Sequence, residues 1–183
     1  MGPARDRWLG ALCFQLPAQS IMLSIIESKI VRAIEESVKR NWQTEGPANW
    51  TRVIKRSLVN LGHKLNYKVF AASAKNLNSD SGEWLFDLCW LQKNSHYTKL
   101  GLAAEIEWKN ESAEILRDFK KLTVAIAKLR LLVITYNENN PAQLKRIIKL
   151  CKNASPHIQR THYLLVAIPA YDSKKVLVDS WKF

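Results

Sequence analysis

The stretch Leu129 to Tyr136 holds Leu131-Leu132-Val133-Ile134, the most apolar run in the chain. Successive side chains of a strand point to opposite faces, so a strand that is apolar at every position must be covered on both. This predicts a sheet with helices packed on each side. The flanking patterns agree. Leu23, Ile26, Ile30, Ile34 and Val38 recur at three- and four-residue spacing, giving a helix over about Ser20 to Asn41. A second helix follows over Trp50 to His63, with Trp50, Val53, Ile54, Leu58 and Leu61 facing inward and Arg52, Lys55 and Arg56 outward. Gly62 falls near its end, where glycine relieves left-handed backbone strain.

Three strand-like segments come next: Tyr67 to Ala72, Trp84 to Leu91 and Leu100 to Trp108. Their close setting predicts a meander. A helix from Asn110–Ser112 to about Ala127 buries Ile115, Phe119, Leu122 and Ile126. The central strand follows. Asn140-Pro141 then opens another helix, with Leu144, Ile147, Ile148 and Cys151 inside and Lys145, Arg146, Lys149 and Lys152 outside. Tyr163 to Ile168 and Lys175 to Trp181 are the last two strands. The expected architecture is α/β, a mixed sheet flanked by helices in the order ααβββαβαββ. With 183 residues, this is one domain over 20–183 preceded by a flexible arm, 1–19. Arg5 and Arg7 before Trp8 to Leu16 faintly resemble a secretion signal, but bulky Leu16 sits poorly before a cut after Ala18.

Lys and Arg total 28 against 16 Asp and Glu, a formal net charge of +12. Such an excess favours an anionic partner, nucleic acid before an acidic membrane surface. No apolar run reaches the roughly 18 residues needed to span a bilayer. Cys13, Cys89 and Cys151 form no Cys-x-x-Cys pair, and the four histidines have no ligand spacing. Neither a disulfide framework nor a zinc site is expected, and a reducing, cytoplasmic setting fits.

In so basic a chain, acids within apolar strands stand out. Asp87 lies in Trp84-Leu85-Phe86-Asp87-Leu88-Cys89-Trp90, where a carboxylate is costly unless paired or metal-bound. In Glu105-Ile106-Glu107-Trp108-Lys109, alternation puts Glu105, Glu107 and Lys109 on one face and Ile106 and Trp108 on the other. If the strands pair, Asp87 meets both glutamates. Three carboxylates repel one another and raise one another's pKa, a penalty that Mg²⁺ removes, with Mn²⁺ as substitute. Lys109 is the in-line lysine that would stabilise transition-state charge. A Glu-x-Glu-x-Lys strand is also what a solvated face looks like, an explanation that serves Asp87 poorly.

Acid in the second strand, Glu-x-Glu or Glu-x-Lys in the third, then helix and strand, resembles the PD-(D/E)XK nuclease superfamily over about residues 20–136. Phe86 stands where the name-giving proline would be. Glu83-Trp84-Leu85-Phe86-Asp87, Glu105-Ile106-Glu107-Trp108 and Asp118-Phe119-Lys120-Lys121-Leu122 look like a prokaryotic branch with Glu-x-Glu-Trp and Asp-Phe-x-Lys-Leu segments. The resemblance implies a restriction-endonuclease-like fold and a Mg²⁺-dependent endonuclease acting on DNA. It makes Asp87 and Glu105 metal ligands and places Glu107 at the usual lysine position. A second register, with Glu107 as ligand and Lys109 as catalytic lysine, stays open. Lys121 is a candidate relocated lysine or an ordinary helix-edge charge. Asp118 would be a supporting acid, and Glu27 the acid a first helix sometimes supplies. DNA contacts would come from Arg52, Lys55, Arg56, Lys145, Arg146 and Lys149. Cutting both strands would take two sites, hence a homodimer. No small-molecule cofactor and no membrane partner are expected. The competing expectation is a non-catalytic module of the same fold that binds nucleic acid or a protein. A weaker one is a membrane-surface protein using its N-terminal arm.

Overall fold

A computed structural model describes residues 18–41, 46–72, 80, 85–93, 99–156, 161–170 and 176–182. The chain runs α1 (Ala18–Arg40), α2 (Pro47–Lys64), β1 (Tyr67–Ala71), β2 (Leu88–Gln92), β3 (Leu100–Glu107), α3 (Ser112–Thr123), β4 (Ala127–Tyr136), α4 (Pro141–Ala154), β5 (His162–Pro169) and β6 (Leu177–Lys182). Among the described residues it is a mixed α/β fold in which four helices flank one six-stranded sheet, ordered β1-β2-β3-β4-β5-β6. The first three strands form the expected meander, β1–β2 and β2–β3 antiparallel. β3, β4 and β5 are parallel, and β6 returns antiparallel along β5.

The apolar run in β4 divides its side chains between two cores. Leu131 and Val133 join Ile30, Ile34, Ile54 and Leu58 beneath α1 and α2. Leu132 and Ile134 join Ile115, Phe119, Leu144 and Ile147 beneath α3 and α4. Burial on both faces is what a continuously apolar strand requires. α4 starts as expected, with Pro141 in its first turn and the Asn140 side chain accepting from Gln143 N at 3.2 Å.

Several boundaries and roles differ from expectation. α2 begins at Pro47, three residues before the expected Trp50, because a first-turn proline gives up no hydrogen bond. The second strand starts at Leu88, so Asp87 precedes it in a bend, while Trp84 lies outside the described residues. α3 ends at Thr123, and Ile126, expected to be buried, is 91% exposed in the turn beyond it. Gly62 is inside α2 and has no positive φ; Asn66, at φ 63°, makes the left-handed turn into β1. Gly62 is needed for closeness instead. A Cβ there would stand 2.6 Å from both Trp90 Nε1 and Val69 Cγ2. Of the expected N-terminal arm, residues 1–17 lie outside the described residues and α1 begins within it at Ala18. No helix among the described residues is long and apolar enough to cross a membrane.

Candidate functional site: an acidic notch at one end of the sheet

β3 ends at Glu107, β1 ends at Ala71 and β2 begins at Leu88, all at the same end of the sheet. A tight turn at Leu65 and Asn66 joins α2 to β1, so the N-terminal half of α2 returns to that end. α3 and α4 follow the parallel strands β3 and β4, and their N-termini lie there too. Asn110 and Gln143 tie the two starts together through Gln143 Nε2 donating to Asn110 O at 2.8 Å.

Asp87 is one residue beyond the Leu88–Ala104 pair and therefore beside Glu105. Its Oδ2 accepts from Ile106 N at 3.0 Å and its Oδ1 from Lys55 Nζ at 2.8 Å. Lys55 also donates to Ala72 O at 3.1 Å. Glu105 projects toward α3 and is 2% exposed. Its Oε2 is 3.5 Å from Lys121 Nζ, and its Oε1 has no hydrogen-bond partner among the described residues. Burial pushes its carboxyl up to about 8; the Asp87 charge adds to this and the Lys121 ammonium opposes it. Lys121 also pairs with buried Asp118 at 2.8 Å. Burial raises the Glu107 carboxyl as well, with a hydrogen bond to Asp118 contributing, while Lys109 N donates to Glu107 Oε1 at 2.7 Å. Lys55 thus pairs with Asp87, and Lys121 with both Glu105 and Asp118.

The structure therefore groups Asp87, Glu105, Asp118 and Lys121, with Glu107 at the rim. It does not assemble the expected Asp87–Glu105–Glu107 cage. Among the described residues, no three His, Cys, Asp or Glu side chains are arranged to hold a metal ion. The reason is local: Glu107 closes the strand and turns to the Lys109 amide and Asp118. Lys109 lies past the strand end with an exposed side chain. Glu27 is remote, its Oε1 2.6 Å from Nε2 of His162 at the start of β5, the opposite end of the parallel strands.

Lys55 departs from expectation. Expected on the outer face of α2 as a nucleic-acid contact, it is buried, 5% exposed, because α2 lies close enough to the sheet for its ammonium to reach Asp87. Arg52 and Arg56 are exposed on α2; Lys145, Arg146 and Lys149 are exposed on α4. These two basic stripes lie on helices that pack on opposite faces of the sheet, and both helices begin at the notch end. Sequence reasoning missed the Glu107–Asp118 contact, for which two acids eleven residues apart on different elements give no signal.

Compared with known proteins, the chain matches no family model, no curated protein and no solved structure.

Proposed function

We propose that the chain is a Mg²⁺-dependent nuclease, an endonuclease hydrolysing DNA phosphodiester bonds at the notch. One observation carries the reading: a nearly fully buried carboxyl group, that of Glu105, has an oxygen without a hydrogen-bond partner among the described residues, beside a second acid, Asp87, and a lysine, Lys121. A carboxylate held in this way is costly for a fold that uses it only structurally.

The donor set fits a divalent cation of the kind that uses one or two protein carboxylates and completes its shell with water and phosphate. Glu105 and Asp87 would hold it. A bound Mg²⁺ would offset phosphate charge and make a coordinated water more acidic. The chain's own groups do the rest. Lys121 presents an ammonium to a phosphoryl oxygen, replacing the in-line lysine of the Glu-x-Lys pattern. Asp118 holds Lys121. Arg52, Arg56, Lys145, Arg146 and Lys149 neutralise backbone phosphates on either side of the notch. Cutting both strands would need a second copy of the chain, and the cytoplasm is the compartment that fits free thiols.

Supercoiled-plasmid nicking with Mg²⁺ tests this reading. Nicking by wild type and its loss in Glu105→Gln is the expected result; equal activity in both, or none in wild type on any DNA or RNA, would overturn it. One observation favours a second reading, a non-catalytic binding module: both Asp87 oxygens are already hydrogen-bonded. DNA binding by wild type with no Mg²⁺-dependent cleavage would select it.

A further inference from the structure

We infer that Lys55 is a positioning residue for the proposed reaction, fixing Asp87 in the orientation in which it shares the notch with Glu105. The inference rests on the nuclease reading and deepens it. Lys55 lies on the inner side of α2 among Ile54, Leu58 and Val59, all fully buried. A leucine or methionine there would bury its side chain without desolvating a charge. A buried ammonium is tolerated only when paired and hydrogen-bonded. Lys55 satisfies both conditions with two acceptors from the same place: Ala72 O, just past the end of β1, and Asp87 Oδ1, just before β2. It thereby ties α2 to both strand ends.

The effect on Asp87 is specific. Asp87 precedes its strand, so the β-ladder alone does not hold its side chain. Ile106 N fixes Oδ2 and Lys55 fixes Oδ1, which leaves the carboxylate little rotational freedom. Ile106 directly follows Glu105, so the same clamp sets the spacing of the two acids. Lys55 touches no substrate in this arrangement. It supplies the hydrogen bond that orients a ligand, a role whose loss typically reduces metal affinity or activity about 10- to 100-fold.

The test compares Lys55→Met, Lys55→Gln, Asp87→Ala and Lys55→Met/Asp87→Ala. Mn²⁺ binding is read by calorimetry, plasmid nicking by kcat and KM, and folding by thermal melting. The expected result is a loss of about tenfold or more in both Mn²⁺ affinity and kcat for Lys55→Met. KM for DNA is unchanged, Lys55→Gln retains part of the activity through its amide donor, and the double variant is no worse than Asp87→Ala. If Lys55→Met does not fold, the same comparison is made with Lys55→Gln. A raised KM with unchanged kcat would make Lys55 a phosphate contact and overturn the inference. Wild-type Mn²⁺ affinity and kcat in a folded Lys55 variant would also overturn it while leaving the nuclease reading intact. A wild-type protein that neither binds Mn²⁺ nor cuts nucleic acid would remove both.

Discussion

Lys121 reaches from the last turn of α3 to Glu105 on β3, its ammonium 3.5 Å from Oε2 while also standing 2.8 Å from Asp118 Oδ1. One cation therefore serves two buried acids on different elements. Lys121→Met should remove a charge-stabilising donor, and kcat for plasmid nicking should fall about 10²- to 10³-fold. It also leaves Asp118 buried without its ammonium partner, so thermal or urea unfolding should show a loss of about 1–3 kcal/mol. Lys121→Arg, which keeps the charge but not the shape, should recover more stability than activity.

The Glu105 carboxyl gives a signed pH dependence. An ordinary glutamate titrates near 4.5, whereas Glu105 in the fold is pushed up to about 8 by burial first and the Asp87 charge second. Between those values the folded state holds a proton that the unfolded chain releases, so this contribution to stability is complete below about 4.5 and is lost as pH rises through about 8. The slope is about 1.4 kcal/mol per pH unit at its steepest. Urea unfolding in EDTA from pH 5 to 9 should show this decline, and Glu105→Gln, which cannot titrate, should flatten it. An unaltered slope in the variant would assign the pH dependence to other groups.

Gly62 allows α2 to lie against Trp90 and Val69, and a methyl group there would have to displace a fully buried indole. Gly62→Ala normally strengthens a helix, yet here overpacking should win and cost about 1–3 kcal/mol in equilibrium unfolding. A more stable variant would show that the sheet yields to the added methyl.

The exposed stripe on α4 should act on affinity alone. Replacing Lys145, Arg146 and Lys149 together by glutamine should reduce the salt dependence of DNA binding, the slope of log K against log salt falling by up to about 0.9 per lost phosphate contact. Fluorescence anisotropy over a salt series measures it, with kcat at saturating DNA unchanged. An unchanged slope would place the DNA elsewhere.

The elements were legible in the sequence because their apolar periods were clear, and β4 required covering on both sides by its lack of alternation. Asp87 and Glu105 stood out because charge among apolar strand residues is costly. Lys55 was not legible as a buried group. On a helix the residue beside an apolar stripe normally escapes to water, and it is held inside here by acceptors seventeen and thirty-two residues later, Ala72 O and Asp87 Oδ1. The same limit applied to Gly62, whose role depends on a strand partner rather than on its own backbone angles. Glu107 read as equivalent to Glu105 by alternation, but its place at the end of the strand gave it different partners.

The proposed reaction depends on Glu105 and Asp87 together holding a divalent cation. Calorimetric titration of Mn²⁺ into wild type, Glu105→Gln and Asp87→Asn at pH 8 decides whether they do. Saturable binding to wild type is expected, weakened about tenfold or more in each variant, with all three proteins equally folded. Absence of binding to wild type, or equal binding by all three, would contradict it.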